Sequence, residues 1–316
     1  MRFNPRARAD QSQIDNREGL GGMSGGGSRL PIPLPGGTGG RITGGTVVVL
    51  VLYLILSTCM GGGPLDPTGT TGTNQTQQPT QHAQGQACTG KQAEQDQGCQ
   101  IDLFTTSIQD YWKKEFPAQT GSSYETIQTV RFSGVTNSAC GTAQSEMGPF
   151  YCPNDMRVYL DTTFFDQMLT GQLGAEGGPF SIGYVVAHEY GHHIENLLGV
   201  LGQIRTQQGP NSDGVRVELM ADCLAGAWAA NATDTLDAQG QPIITEITQD
   251  DVRRAIDAAQ AVGDDRIQKR SSGRVNPEAW THGSAEQRMR WFTKGMQKGS
   301  IKACNTFARG VDLSNP

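Results

Sequence analysis

The stretch "AHEYGHHIENLLGV", residues 187–200, places three of the chain's five histidines and two of its acids inside apolar flanks. The flanking "SIGYVVA" and "IENLLG" repeat on a helical period, so the helix buries at least part of this polar cluster. Burying unpaired polar groups is costly unless something binds them. That cost constrains the whole fold, because another element must supply a partner. His188 and His192 stand four apart, so their imidazoles project from one helix face about one turn apart and can grip one cation. Glu189 lies between them and completes H-E-x-x-H, in which two neutral imidazoles hold zinc and the adjacent carboxylate takes a proton from water without being a ligand.

A catalytic zinc needs a third protein ligand. The metzincin pattern would require Gly and His at positions 195 and 198, where this chain has Glu195 and Leu198, so that pattern fails. The helical stretch "VELMADCLAGAWAA", residues 217–230, offers Glu218 and Asp222, two acids four apart among apolar residues. Their burial makes sense if Glu218 faces a divalent cation and Asp222 accepts a hydrogen bond from a ligand histidine's other ring N–H. The alternative is an exposed acidic edge. Glu195 shares the histidine face and is a rival ligand, but ligands from one helix alone rarely close a tetrahedral site, and a surface ion pair is the expectation for it. His193 points about 100° from His192 and reads as a packed histidine or one supporting a ligand from behind.

Composition divides the chain before this region. Residues 1–45 are rich in Gly, Pro, Ser and Arg and poor in large apolar side chains, which predicts a disordered tail. An uncharged apolar run at 46–60 follows, reaching about 20 residues with its flanking glycines, and predicts one transmembrane helix over 46–62. A signal-peptide core is the other reading, though a long segment precedes the run and no A-x-A-like site follows it. Arg2, Arg6, Arg8, Arg17, Arg29 and Arg41 precede the run and no Lys or Arg follows until Lys91, which predicts a cytoplasmic N-terminus and an extracytoplasmic main domain. Residues 63–96 read as a Gly/Thr/Gln-rich tether, and 97–312 as the folded domain. A net charge of −6 without a basic block beyond the tail argues against a nucleic-acid partner.

Beyond Cys59, six cysteines remain, and an extracytoplasmic location suggests up to three disulfides. Six cysteines allow 15 connectivities and sequence alone does not choose among them; pairing neighbours would give Cys88–Cys99 and Cys140–Cys152, with Cys223–Cys304. The sequence "CQIDLFTTSIQDYWKKEF" predicts a surface helix, 126–132 and 156–160 predict short strands, and 161–298 reads as successive helices, including one over 248–268. The expected class is α+β, mainly helical with a small sheet.

Four blocks in order, "PFYCPND", "HEYGHHIE", "ELMADCLAGAWA" and "THGSAEQRMRWF", resemble the bacterial neutral zinc metallopeptidases, single-span membrane proteins, over roughly residues 97–310 plus the anchor. H-E-x-x-H with a later E-x-x-x-D is also similar to the thermolysin-like gluzincins. The resemblance implies a zincin-like domain with Zn2+ on His188, His192 and Glu218, Glu189 as general base and Asp222 supporting a ligand. His282 is a candidate for stabilising an oxyanion or, equally, a helix-start histidine bonding the backbone. Tyr151 and Tyr159 are packed aromatics or cleft-lining residues, with packing the expectation. A strand near 156–160 is a natural edge for an extended polypeptide substrate. Together these predict a membrane-anchored extracytoplasmic zinc peptidase. A zinc hydrolase acting on a non-peptide amide and a non-catalytic zinc-binding envelope protein are the alternatives.

Overall fold

The computed structural model describes residues 1–19 and 87–316. Its elements in chain order begin with β1 (Arg2–Phe3), β2 (Ile14–Asn16), α1 (Gln97–Thr120) and β3 (Gln128–Phe132). A hairpin of β4 (Val135–Ser138) and β5 (Gly141–Gln144) precedes β6 (Phe150–Cys152), β7 (Arg157–Asp161) and a π-helical segment, Phe165–Gln172. Helices α2 (Pro179–Leu197) and α3 (Asp213–Asn231), strand β8 (Ile244–Glu246), and helices α4 (Gln249–Ala261), α5 (Asp264–Ser272), α6 (Ala285–Lys298) and α7 (Ile301–Cys304) complete the chain. The class is α+β, as expected.

Helix α1 starts where Asp96 accepts from the Cys99 amide and stops at Gly121, whose φ of 75° lets the chain turn left-handed. Its apolar stripe, Ile101, Phe104, Ile108, Tyr111 and Trp112, is buried as the periodicity requires. The opposite face is buried too, which corrects the surface-helix expectation. Its polar residues are satisfied internally: Thr105 bonds Thr129, Ser107 bonds Thr235, and the Gln109 amide donates to the Ile127 carbonyl. Periodicity alone reports only the apolar stripe, so it cannot reveal a polar face whose partners come from elsewhere in the chain.

The main sheet runs β2-β3-β7-β6, with β2, β3 and β7 parallel and β6 antiparallel to β7. Strand β7 therefore lies inside the sheet, and the strand expected near 156–160 is not an edge. The edge is β6. It rests against α2 through Tyr151, whose hydroxyl bonds His193 Nδ1 at 3.1 Å. Tyr151 and Tyr159 are both buried, Tyr159 stacking on Phe150, so both are packed aromatics.

The N-terminal segment differs most from expectation. Residues 1–19 are folded into the domain: β1 pairs with β8, β2 with β3, and Ala7 and Ala9 are buried. Glu18 reaches Arg131 on β3 at 2.7 Å and Thr162 at 2.7 Å. Composition underestimates this segment because its order comes from backbone pairing to strands and loops made elsewhere, not from its own apolar surface. Residues 87–96 also belong to the domain and not to the tether: Cys88 is bonded to Cys99, and Gln92–Glu94 form a helical turn. The rest of the expected tail and tether, and the expected transmembrane helix at 46–62, lie outside the described residues. Among those described, no helix is long and apolar enough to cross a membrane.

All three expected disulfides form: Cys88–Cys99, Cys140–Cys152 and Cys223–Cys304. The helix expected over 248–268 is two, α4 and α5, parted at Val262 and Gly263, whose missing Cβ leaves room for the Ala285 backbone. Helices α3 and α6 cross where Gly226 meets the Phe292 carbonyl and Gly295 meets the Cys223 carbonyl. A Cβ on Gly295 would lie 1.9 Å from that carbonyl oxygen. Gly295→Ala is expected to cost about 1–3 kcal/mol by forcing the helices apart, read as a Tm drop of at least several degrees. An unchanged melting curve would contradict this crossing.

Candidate metal centre

Helices α2 and α3 make the site by packing closely one turn from the histidines. Gly191 faces α3, where a Cβ would fall 2.8 Å from the Ala221 Cα. The absent side chain lets Glu218 and Asp222, which bracket Ala221, reach His188. Glu218 and Asp222 are buried, which excludes the exposed acidic edge.

His188 Nε2 lies 3.3 Å from Glu218 Oε2, and His192 Nε2 lies 3.7 Å from Glu218 Oε1. One donor atom from each of these three residues lies within 4.8 Å of the others. Tetrahedral zinc with N and O ligands at about 2.0–2.2 Å places donor atoms roughly 3.3–3.6 Å apart, so the set fits a divalent cation. Two imidazoles and a carboxylate are also the chemistry zinc takes.

Each imidazole is held from behind by a carboxylate. His188 Nδ1 donates to Asp222 Oδ1 at 2.9 Å, as expected. His192 Nδ1 donates to Glu195 Oε2 at 2.8 Å. Glu195 is 0% exposed, so it forms no surface ion pair, and its position three residues on from His192 makes it an internal acceptor. Both rings thereby keep Nε2 free for a metal. His193 is packed away, its Nε2 donating to the Glu125 carbonyl at 2.8 Å.

Arg288 on α6 is the residue that sequence reasoning missed. Its Nε donates to Asp222 Oδ2 at 2.8 Å and an Nη donates to Oδ1 at 3.0 Å, while Tyr184 donates to Oδ1 at 2.6 Å. This forked pairing resolves the like-charge problem of Glu218 and Asp222. In "AEQRMRW" nothing but position distinguishes Arg288 from Arg290, which is bonded to the chain's end.

The electrostatics follow from burial and these partners. Burial pushes the Glu189 carboxyl up to about 7, with the His188 charge opposing it. Burial disfavours a charged His188, but Asp222 and Glu218 outweigh it and raise the ring to about 9. Burial, helped by the His188 and Arg288 charges, takes His192 down to about 3 despite Glu218. Glu218 is held well below the usual carboxylate range, since His282, His188 and His192 outweigh its burial. A cation entering the site therefore competes with a proton on His188.

His282 is locked just before α6. The amides of Thr281, His282 and Gly283 all donate to Asp264 Oδ2, at 2.7, 2.6 and 3.0 Å. Its Nδ1 is 2.8 Å from Thr281 Oγ1 and 3.4 Å from Asp264 Oδ1. The α6 N-cap is Ser284, within a capping box with Gln287, so the backbone-bonding reading of His282 does not hold. Burial would lower its pKa, yet Glu218 and Asp264 raise it.

A family model described as "Putative neutral zinc metallopeptidase" matches residues 1–307. The chain belongs to this family. It is 37% identical over 318 residues to the uncharacterized protein YpfJ of Escherichia coli K12, covering 98% of this chain and 100% of that protein. It is 48% identical over 225 residues to the uncharacterized protein Rv2575 of Mycobacterium tuberculosis H37Rv, covering 71% of this chain and 75% of that one. An uncharacterized Mycobacterium bovis protein, Mb2605, is similar to the same degree. No solved structure matches the chain. Zinc is the metal in the family's name, and the three-donor group is where this neutral zinc metallopeptidase relative would hold it.

Removing Asp222 would strip the buried Arg288 of both its hydrogen-bonded carboxylate contacts, so Glu195 offers the cleaner test of ligand support. Glu195→Gln is expected to weaken zinc binding about 10-fold, measured by competition with a fluorescent chelator. Unaltered affinity would show that Glu195 plays no part in orienting His192.

Proposed function

We propose that this family member is a zinc-dependent peptidase acting in an oxidising, extracytoplasmic compartment. The observation that carries the reading is the three-donor set with no fourth protein ligand at hand among the described residues: His193 is engaged by Tyr151 and the Glu125 backbone, and Glu195 by His192 Nδ1. A structural zinc site fills all four positions with protein ligands, whereas a catalytic one leaves a position open. This favours catalysis over the structural-zinc alternative.

When bound, zinc would supply Lewis acidity toward a carbonyl and lower the pKa of water to about 7. The chain's own residues do the rest. Glu189, raised to about 7 by burial, is matched to accepting a proton from water near neutrality and passing it to the departing nitrogen. His282, held by Asp264 and kept toward its charged form, provides a donor for developing negative charge on the carbonyl oxygen. Asp222 and Glu195 keep both ligand imidazoles in one tautomer.

A polypeptide substrate is supported by β6, which ends the main sheet and is backed by α2 through Tyr151 and Asn196. An extended chain pairs with such an edge through its backbone. A non-peptide amide would need no strand edge. The three disulfides support the oxidising compartment.

Glu189→Gln is expected to abolish hydrolysis of a casein-type substrate while zinc stays near one per chain by atomic absorption. Activity retained in that variant would sink the general-base assignment. Glu218→Ala is expected to lose most of its zinc after dialysis. A variant that keeps stoichiometric metal would remove Glu218 from the ligand set.

A further inference from the structure

We infer that residues 1–19 share one compartment with residues 87–316, on the same side of any bilayer. The two parts touch at many points and by direct hydrogen bonds. The Ala9 amide donates to the Cys88 carbonyl at 2.9 Å, the Gly90 amide to the Ala7 carbonyl at 3.0 Å, and the Asn4 amide to the Ile243 carbonyl at 3.0 Å. Strand β2 extends the main sheet beside β3 in register from Ile14↔Thr129 to Asn16↔Arg131. The Gln13 side chain, 2% exposed, accepts from Gln109 inside α1 at 2.7 Å. Gly90 seats so closely that a Cβ would lie 1.9 Å from the Asn4 carbonyl oxygen.

Such bonds do not reach across a membrane whose hydrocarbon layer is about 30 Å thick. A single crossing would put residues 1–19 opposite the domain and strip β2 from its sheet. Two crossings would need about 40 apolar residues, far more than the 46–60 run holds.

The arginines that suggested a cytoplasmic N-terminus are partly occupied in the fold. Arg17 bonds Asp15 at 2.8 Å and the Asn137 carbonyl at 2.9 Å, and Arg2 pairs with Glu246 at 3.0 Å. The three disulfides place the shared compartment on the oxidising side. A cytoplasmic N-terminus is thereby replaced by one beside the domain.

The test uses the full chain with a specific protease site inserted either after Gly26 or after Asn74, in sealed spheroplasts, with protease added outside. Equal cutting at both sites, within twofold, is expected. Cutting after Asn74 at least tenfold over cutting after Gly26, equalised by detergent, would overturn the inference. Protection of both sites until detergent would uphold the shared compartment but overturn its oxidising side. After cleavage at both sites, the fragment 1–26 is expected to co-purify with the domain until denaturant is added. Gly90→Val in that doubly cleaved chain should release it, and free loss of the fragment without the substitution would overturn the packing.

Discussion

The Asp222 carboxylate is the interaction on which the centre of the molecule depends. It accepts from His188, Tyr184 and Arg288, so residues of α2, α3 and α6 meet on one buried side chain. Losing either Arg288 or Asp222 would strip the other of a forked, hydrogen-bonded charge partner inside the core, where such a loss is costly. The ligand geometry is thus enforced by a network whose partial loss is costly.

Glycines make this network reachable. Gly191 brings α2 against α3 beside the histidines, and Gly226 with Gly295 brings α3 against α6. Close backbone approach sets where Glu218 stands relative to His188 and His192. Cys223–Cys304 then ties α3 to α7, just beyond α6. Packing and donor geometry are in this respect one problem, since a half-ångström shift between helices moves a ligand by as much.

Several features were legible because local spacing carries them. H-E-x-x-H places two rings on one helix face whatever the tertiary structure, and an acid pair four apart in an apolar helix asks for compensation wherever it packs. Glu195 was visible as a face-sharing acid, but exposure, and hence its role, is decided by what packs over it. Its burial beneath His192 turns an expected surface pair into an orienting acceptor. Asp161 closes β7 and accepts from the Thr163 and Gly134 amides, the second a contact that no local spacing announces.

Sequence alone pointed to a histidine pair on one helix face with an acid between them and to a candidate acid helix, because each depends on residue type and short spacing, while six cysteines left 15 pairings open. Tertiary structure decided which acids are buried, the part played by Arg288, the interior place of β7 and the folding of residues 1–19 into the domain. Those outcomes depend on partners far along the chain: β2 is ordered by β3, and Arg288 is positioned by Asp222. A local stretch of sequence holds no information about the edge or the charge it will meet.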